Sequence, residues 1–237
     1  HYVKFNTELD QVAYGRGCSI YLVDRVIPML PHILSDDVCS LIPNQKRFAV
    51  CAEMDINPDA TFKHIEVYPA IIESKRRFAY NEVNDYFNNK SKLENDSRAV
   101  IDMIDVARKL HRILNNAKYK RGYINFNVPE AQIVLDKDNF PVDIKVRESG
   151  EAQEMIENLL VAANEAVVKF AHAKQVPFIY RVHDRPNEDK IKALLIDTKK
   201  LHFKINTSLD DIQPRDIAKW FDDNKDNPKL DIINILM

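Results

Sequence analysis

The sequence is short of several things, and each shortage narrows the reading. There are three cysteines in 237 residues, Cys18, Cys39 and Cys51, with no CxxC pair among them. That excludes a disulfide framework and a thiolate zinc site, and it points to a reducing, cytoplasmic compartment with the thiols acting as small buried apolar side chains. No apolar run reaches the ~18 residues of a membrane span. No signal peptide is visible, but the sequence begins at His1 without an initiator Met, so the missing leader decides nothing. The formal net charge is only −2, so no overall basic field attracts nucleic acid. A channel that concentrates positive charge locally remains compatible with that balance. Internal repeats, low-complexity tracts and linkers are absent.

What is present is a soluble, globular composition: 45% hydrophobic and 30% charged residues, long enough for a sizeable core. Thr7 reads as a helix cap with Gly17 as the stop. Ser19–Val23 alternates as a strand. Pro28 and Pro31 then enforce a rigid, largely buried crossing segment, and Ser35-Asp36-Asp37 offers a turn or cap. Phe48, Val50, Ala52, Met54 and Ile56 alternate with Ala49, Cys51, Glu53 and Asp55, giving a half-buried strand. Pro58-Asp59-Ala60 turns it into a second strand from Phe62 to about Pro69, and the chain stays extended from Ile71 to Phe78.

Further on, the pattern predicts a short helix over 81–89. A longer one covers 97–120, with Val100, Met103, Ile104, Ala107, Leu110, Leu114 and Ala117 at helical spacing and Gly122 as the stop. Two strands flank a turn at Asp136–Asn139. A long helix over 151–174 carries Ala162, Ala163 and Ala166 for close packing. A short strand is expected at 177–183, and helices over 187–200, 214–223 and 228–237. With only four glycines, this mixture of hairpins and long helices makes a single mixed α+β domain.

Five segments carry a resemblance when read together. They are CSIYLVDRVIPMLPHILSDDVCSL from Cys18, ESKRRFAY with Ser74, Arg77 and Tyr80, GYINFNVPEAQ from Gly122, MIENLLVAAN from Met155, and FIYRVHDRP from Phe178. In this order the chain resembles the catalytic (RNB) domain of the ribonuclease II/ribonuclease R family, processive 3′→5′ exoribonucleases. The resemblance covers nearly all of residues 1–237 and makes them a partial RNB catalytic domain, truncated at both ends. It implies a Mg²⁺-dependent hydrolase that degrades single-stranded RNA to nucleoside 5′-monophosphates, with no DNA substrate and no membrane partner.

Six residues are candidates for holding RNA. Tyr21 by itself reads as a core aromatic; the resemblance matches it to a tyrosine that packs on the 3′-terminal nucleotide, where stacking is worth roughly 1–3 kcal/mol per base. Phe126 by itself is a strand core residue, and the matching aromatic closes the far end of the base stack. Tyr80 either anchors a strand end or donates its phenol to a phosphate near the reacting end. Glu157 shares its helical turn with apolar residues, which favours partial burial, and Glu154 lies on the same face. The resemblance makes Glu157 the group that holds the terminal ribose, since a carboxylate accepts from both the 2′- and 3′-hydroxyls and so favours RNA. At the next position this chain has Asn158 where the family usually has a second acid, and no role is carried onto it. Arg181 and His183 alternate on one strand face, for phosphate contact or for an ion pair with Asp184 or a helix acid.

Metal chemistry is not found in the chain by pattern. Asp36-Asp37, Asp210-Asp211 and Asp222-Asp223 read as turn, helix-start and helix-end acids, not as an oxygen cage. By the resemblance, the metal-binding aspartates lie upstream of His1 and the catalytic arginine downstream of Met237, so the piece alone is expected to be inactive. Two other readings stand beside this one. The chain is a catalytically inactive RNA-binding or protein-interaction module of the same descent, or it is an unrelated metal-dependent hydrolase using His64, His111 or His183, whose spacing matches no ligand motif.

Overall fold

The computed structural model describes residues 2–90, 92–124, 131–146, 149–182, 187–203 and 214–236. Among them are seven α-helices and three two-stranded sheets, the α+β mixture expected. They gather into two compact units. One comprises His1–Glu53, Glu66–Asp105 and Ala131–Gln153, the other Met54–Ile65, Val106–Glu130 and Glu154–Met237.

The first unit begins with α1 (Glu8–Arg16). Thr7 Oγ1 accepts from Asp10 N, and Gly17 turns the chain out at φ 69°, the left-handed region glycine tolerates. The next strand is shorter than its alternation predicts. Only β1 (Ile20–Tyr21) pairs, antiparallel to β2 (Val26–Ile27), with Tyr21 opposite Val26. Leu22 N donates to Arg25 O at 2.8 Å, so Leu22 and Val23 belong to the turn. The hairpin is tied at its base by Arg16, which donates to Pro28 O at 2.8 Å, and by Met29 N, which donates to Ser19 Oγ at 3.0 Å. The proline-bracketed segment is half-buried at Pro28–Leu30 and exposed at Pro31, not largely buried.

The acidic pair that follows is neither a plain turn nor a cap. Ile33–Val38 winds as one π-helical turn, in which Cys39 N reaches back to Leu34 O. Arg47 clamps it, donating to Asp37 Oδ1 at 2.7 Å and to the carbonyls of Asp37 and Ser40 at 3.2 Å. The cysteines are free, as expected, but are not buried: Cys18 and Cys39 are exposed and Cys51 is half-buried. Cys18 leaves the Gly17 turn into a surface hairpin, and Cys39 closes the π-turn, so neither reaches the core.

β3 (Lys46–Ile56) and β4 (Phe62–Glu73) form a hairpin closed by Asn57 N donating to Thr61 O at 2.9 Å. Its first half inverts the expected face. Phe48 and Val50 are 75% and 76% exposed, while Arg47, Ala49 and Cys51 turn inward. Consecutive half-buried Cys51 and Ala52 then shift the phase, so Met54 and Ile56 face inward as expected. A period of two fixes which residues share a face but not which face is covered.

α2 (Tyr80–Phe87) buries Val83 and Phe87. Its Asn84 side chain accepts from Ala152 N at 2.9 Å and donates to Gln153 Oε1 at 2.9 Å, which caps from outside the long helix that begins at Glu151. Gly150 makes this approach possible, because a Cβ there would lie 2.5 Å from Asn84 Nδ2. β5 (Ala131–Leu135) and β6 (Pro141–Val146) flank the expected Asp136–Asn139 turn. There the Asp136 carboxylate accepts from Asp138 N and Phe140 N at 2.8 and 2.9 Å.

The second unit holds most of α3 (Arg98–Lys120) and α4 (Glu151–Lys174), then α5 (Glu188–Lys200), α6 (Pro214–Asp223) and α7 (Leu230–Leu236). The alanines of α4 do pack closely: Ala162 is 5% and Ala166 0% exposed. Phe203, Phe221, Leu230 and Ile233 form a core cluster, with Trp220 edge-on to Phe203 and Phe221, each at 5.2 Å between ring centroids. Each such buried side chain contributes about 1.5–3 kcal/mol of transfer free energy. The strand expected at 177–183 is not formed: residues 177–182 are irregular and exposed.

Candidate functional site

Two of the six candidates belong to the first unit. Tyr21 is 78% exposed, so it is not a core aromatic. It stands on a two-residue strand whose turn and base are hydrogen-bonded, which presents a flat apolar ring from a fixed backbone. Tyr80 is not at a strand end but is the first residue of α2, 46% exposed. Glu82 builds that helix start, accepting from Ala79 N at 2.6 Å and from Arg76 at 2.8 Å. Those two bonds, the backbone one first, hold the Glu82 carboxyl below its ordinary value. Arg76 is also tied to Asp96 at 2.9 Å and lies 4.5 Å over the Phe78 ring. Its neighbour Arg77 forms no ion pair among the described residues.

Glu157 lies in the second unit on α4, with 52% of its side chain exposed. It is not a loose surface carboxylate. Lys118 Nζ on α3 donates to Glu157 Oε1 at 2.7 Å and to Asn158 Oδ1 at 3.3 Å, and lies 3.6 Å from the Tyr123 ring centroid. The Lys118 side chain is only 15% exposed. Burial pulls its ammonium toward neutrality, but the Glu157 hydrogen bond and the nearby Tyr123 and Glu157 outweigh this, so its pKa lies above the ordinary lysine value.

Asn158 is 3% exposed and uses its whole amide. Nδ2 donates to His111 Nδ1 at 2.9 Å and to Asn115 Oδ1 at 3.2 Å, while Oδ1 accepts from Lys118. His111, itself 3% exposed, Asn115 and Lys118 are spaced i, i+4, i+7 and share one face of α3. Sequence reasoning missed this seam. The signal for it was the polar stripe at helical spacing and the amide at 158.

Arg181 is exposed on irregular backbone and forms no ion pair among the described residues, so the strand-face argument that linked it to His183 does not hold. Phe126 and His183 lie outside the described residues.

The described residues do not fit a divalent metal. They contain no group of three or more His, Cys, Asp or Glu able to hold one. Asp36 is engaged by His32 at 2.5 Å and by Ser35 at 2.7 Å, and Asp37 by Arg47. His64 is paired with Asp55 at 2.6 Å and His111 with Asn158. Asp210 and Asp211 lie outside the described residues. No helix among the described residues is long and apolar enough to cross a membrane.

The RNB domain model matches residues 1–237. The chain is 41% identical to ribonuclease R of Ureaplasma parvum over 246 residues, an alignment covering all of this chain and 34% of that protein. It superposes on the apo form of Mycoplasma genitalium RNase R with a TM-score of 0.92 and 39% identity, over 100% of this chain and 37% of that one. The same figures hold for the M. genitalium enzyme in complex with ribose-methylated single-stranded RNA. The chain thus spans about a third of the length of the relatives it matches, and it belongs to the RNB domain family.

Proposed function

We propose that these residues are the substrate-binding part of an RNB catalytic domain in a hydrolytic 3′→5′ exoribonuclease. The enzyme acts in the cytoplasm on single-stranded RNA, not DNA, and releases nucleoside 5′-monophosphates processively. The observation that carries this reading is the match over the whole chain, at 39% identity, to an RNase R whose structure was also solved with single-stranded RNA. Tyr21 offers its exposed ring to a base, and Phe126 closes the other end of the stack; aromatic stacking accepts any sequence because every base has a π-face. Tyr80 donates to a phosphate oxygen, and Arg181 and His183 contact the RNA backbone. Glu157 accepts from the 2′- and 3′-hydroxyls of the terminal ribose, which distinguishes RNA from DNA.

In the intact protein the hydrolysis depends on Mg²⁺ held by carboxylates outside this chain. The part played here is to bind and orient the 3′ end.

A paired nuclease assay tests the proposal. A 5′-labelled single-stranded RNA is incubated with Mg²⁺ and this chain, and separately with the chain extended at both ends by its native flanking sequence. Mononucleotide release by the extended protein alone, abolished by chelator and weakened by Glu157→Ala, is the expected result. Release by neither protein would replace the enzyme reading with the inactive binding module.

A further inference from the structure

We propose that Lys118 is the positioning residue of ribose recognition: it pins one carboxylate oxygen of Glu157 so that the other meets the terminal ribose. The proposal rests on the reading of Glu157 as the ribose acceptor.

The donor geometry at Lys118 assigns it this task. An ammonium has three N–H donors. Lys118 directs its ammonium at Glu157 Oε1 at 2.7 Å and at Asn158 Oδ1 at 3.3 Å, and its remaining side lies 3.6 Å from the Tyr123 ring centroid. None of its donors is left for an RNA phosphate, although a lysine near a proposed RNA site is otherwise expected to serve one. At 15% side-chain exposure it also lacks the rotamer freedom of a surface lysine.

Glu157 is the half of the pair that remains accessible. Its side chain is 52% exposed, and Oε2 forms no hydrogen bond among the described residues. An exposed helical glutamate samples many rotamers, and fixing it on each ribose costs binding. Lys118 fixes it in advance, which is what preorganisation means for a ligand-reading group.

Asn158 directs the lysine's charge. Its amide accepts once, from Lys118, and donates twice, to His111 and Asn115. A carboxylate there would make neither donation and would share the Lys118 charge with Glu157. The neutral amide leaves Glu157 as the only anion bonded to Lys118 among the described residues. The same three bonds hold α3 and α4 in the register that places Lys118 beside Glu157.

The test uses the full-length protein and two 5′-labelled single-stranded RNAs that differ only in the last nucleotide, ribose or 2′-deoxyribose. The readout is the ratio of kcat/KM for removal of that nucleotide. A variant that is merely less well folded loses rate on both substrates and leaves the ratio unchanged. Lys118→Met is expected to lower the ratio about tenfold, the size of one charge-assisted hydrogen bond. Glu157→Ala is expected to bring it near one, the double variant to match Glu157→Ala, and Lys118→Arg to restore most of it. Should Lys118→Met not fold, Lys118→Gln keeps a donor for Asn158 without the charge and carries the same expectation. A ratio unchanged in the Lys118 variants but lost in Glu157→Ala overturns the proposal and leaves the Glu157 reading standing. A ratio unchanged in Glu157→Ala overturns the Glu157 reading itself.

Discussion

Asn158→Leu is the substitution that weighs the polar seam most directly, because leucine keeps the amide's branched four-atom side chain and offers neither donor nor acceptor. Its effect follows from the three bonds Asn158 makes. His111 Nδ1, on a residue 3% exposed, loses the Asn158 donor where solvent has little access. A buried acceptor so stranded costs about 1–3 kcal/mol. Asn115 and Lys118 are half-buried and regain solvent in part, so each loss is about 0.5–1 kcal/mol. The added apolar burial of leucine offsets about 1 kcal/mol. The expected net destabilisation is about 2 kcal/mol.

Trp220 is the natural reporter of this change. It is the sole tryptophan of the chain and packs on Phe203 and Phe221 in the same unit as Asn158. In a urea titration followed by its fluorescence, with a slope of about 2 kcal/mol/M, the midpoint falls by about 1 M. An unchanged or raised midpoint at constant slope would refute the reasoning: the amide would then contribute nothing that packing does not replace.

Two other perturbations probe stability elsewhere. Asn234 is 6% exposed and its Oδ1 has no hydrogen-bond partner among the described residues, beside a cavity of about 240 Å³ lined in part by Tyr119, Phe221 and Asp231. Asn234→Leu removes the stranded oxygen and is expected to raise the same urea midpoint, by about 1 kcal/mol in stability; a lowered midpoint would show that the amide is needed. Glu82 has its folded pKa below the ordinary 4.5, through Ala79 N–H and then Arg76. A depressed acid stabilises above its unfolded value and loses that contribution as pH falls through the folded one. The melting temperature is therefore expected to drop on acidification below about pH 4.5, and less steeply in Glu82→Gln, as read by circular dichroism. Equal slopes for both proteins would remove Glu82 from the account of α2.

Local chemistry explains which elements were legible. Thr7 and Gly17 bound α1 because cap and stop act within one turn. The Asp136 carboxylate makes its own turn with Asp138 and Phe140, so that hairpin is written in four residues. α4 spans Glu151–Lys174 as the spacing predicts. The failures arise where the decision is not local. Alternation in β3 named the two faces but not the covered one, and Phe48 and Val50 came out exposed. Residues 177–182 have strand-like composition, yet make no ladder among the described residues. The resemblance supplied Glu157 as a site residue, and nothing in the pattern supplied what holds it.

α3 shows why that support was hidden. Counting apolar residues places Met103 on the inner face, but Met103 is 59% exposed, while Ile104, His111 and Leu114 are buried. The true stripe is rotated by about one position, and it includes polar groups that a hydrophobic template sets aside as solvated. A buried histidine and asparagine are unfavourable alone and acceptable only when paired. The pairing comes from Asn158, 47 residues beyond His111 and on another helix. Periodicity within α3 therefore cannot reveal it, and neither can periodicity within α4, where Asn158 sits between a surface acid and Leu159. The readable trace is chemical: an amide beside Glu157, able to donate twice and accept once, facing a helix that offers two acceptors and one cation at i, i+4 and i+7. Matching donors to acceptors between two helices finds the seam that matching apolar residues does not, and the seam is what turns a helix glutamate into a fixed group.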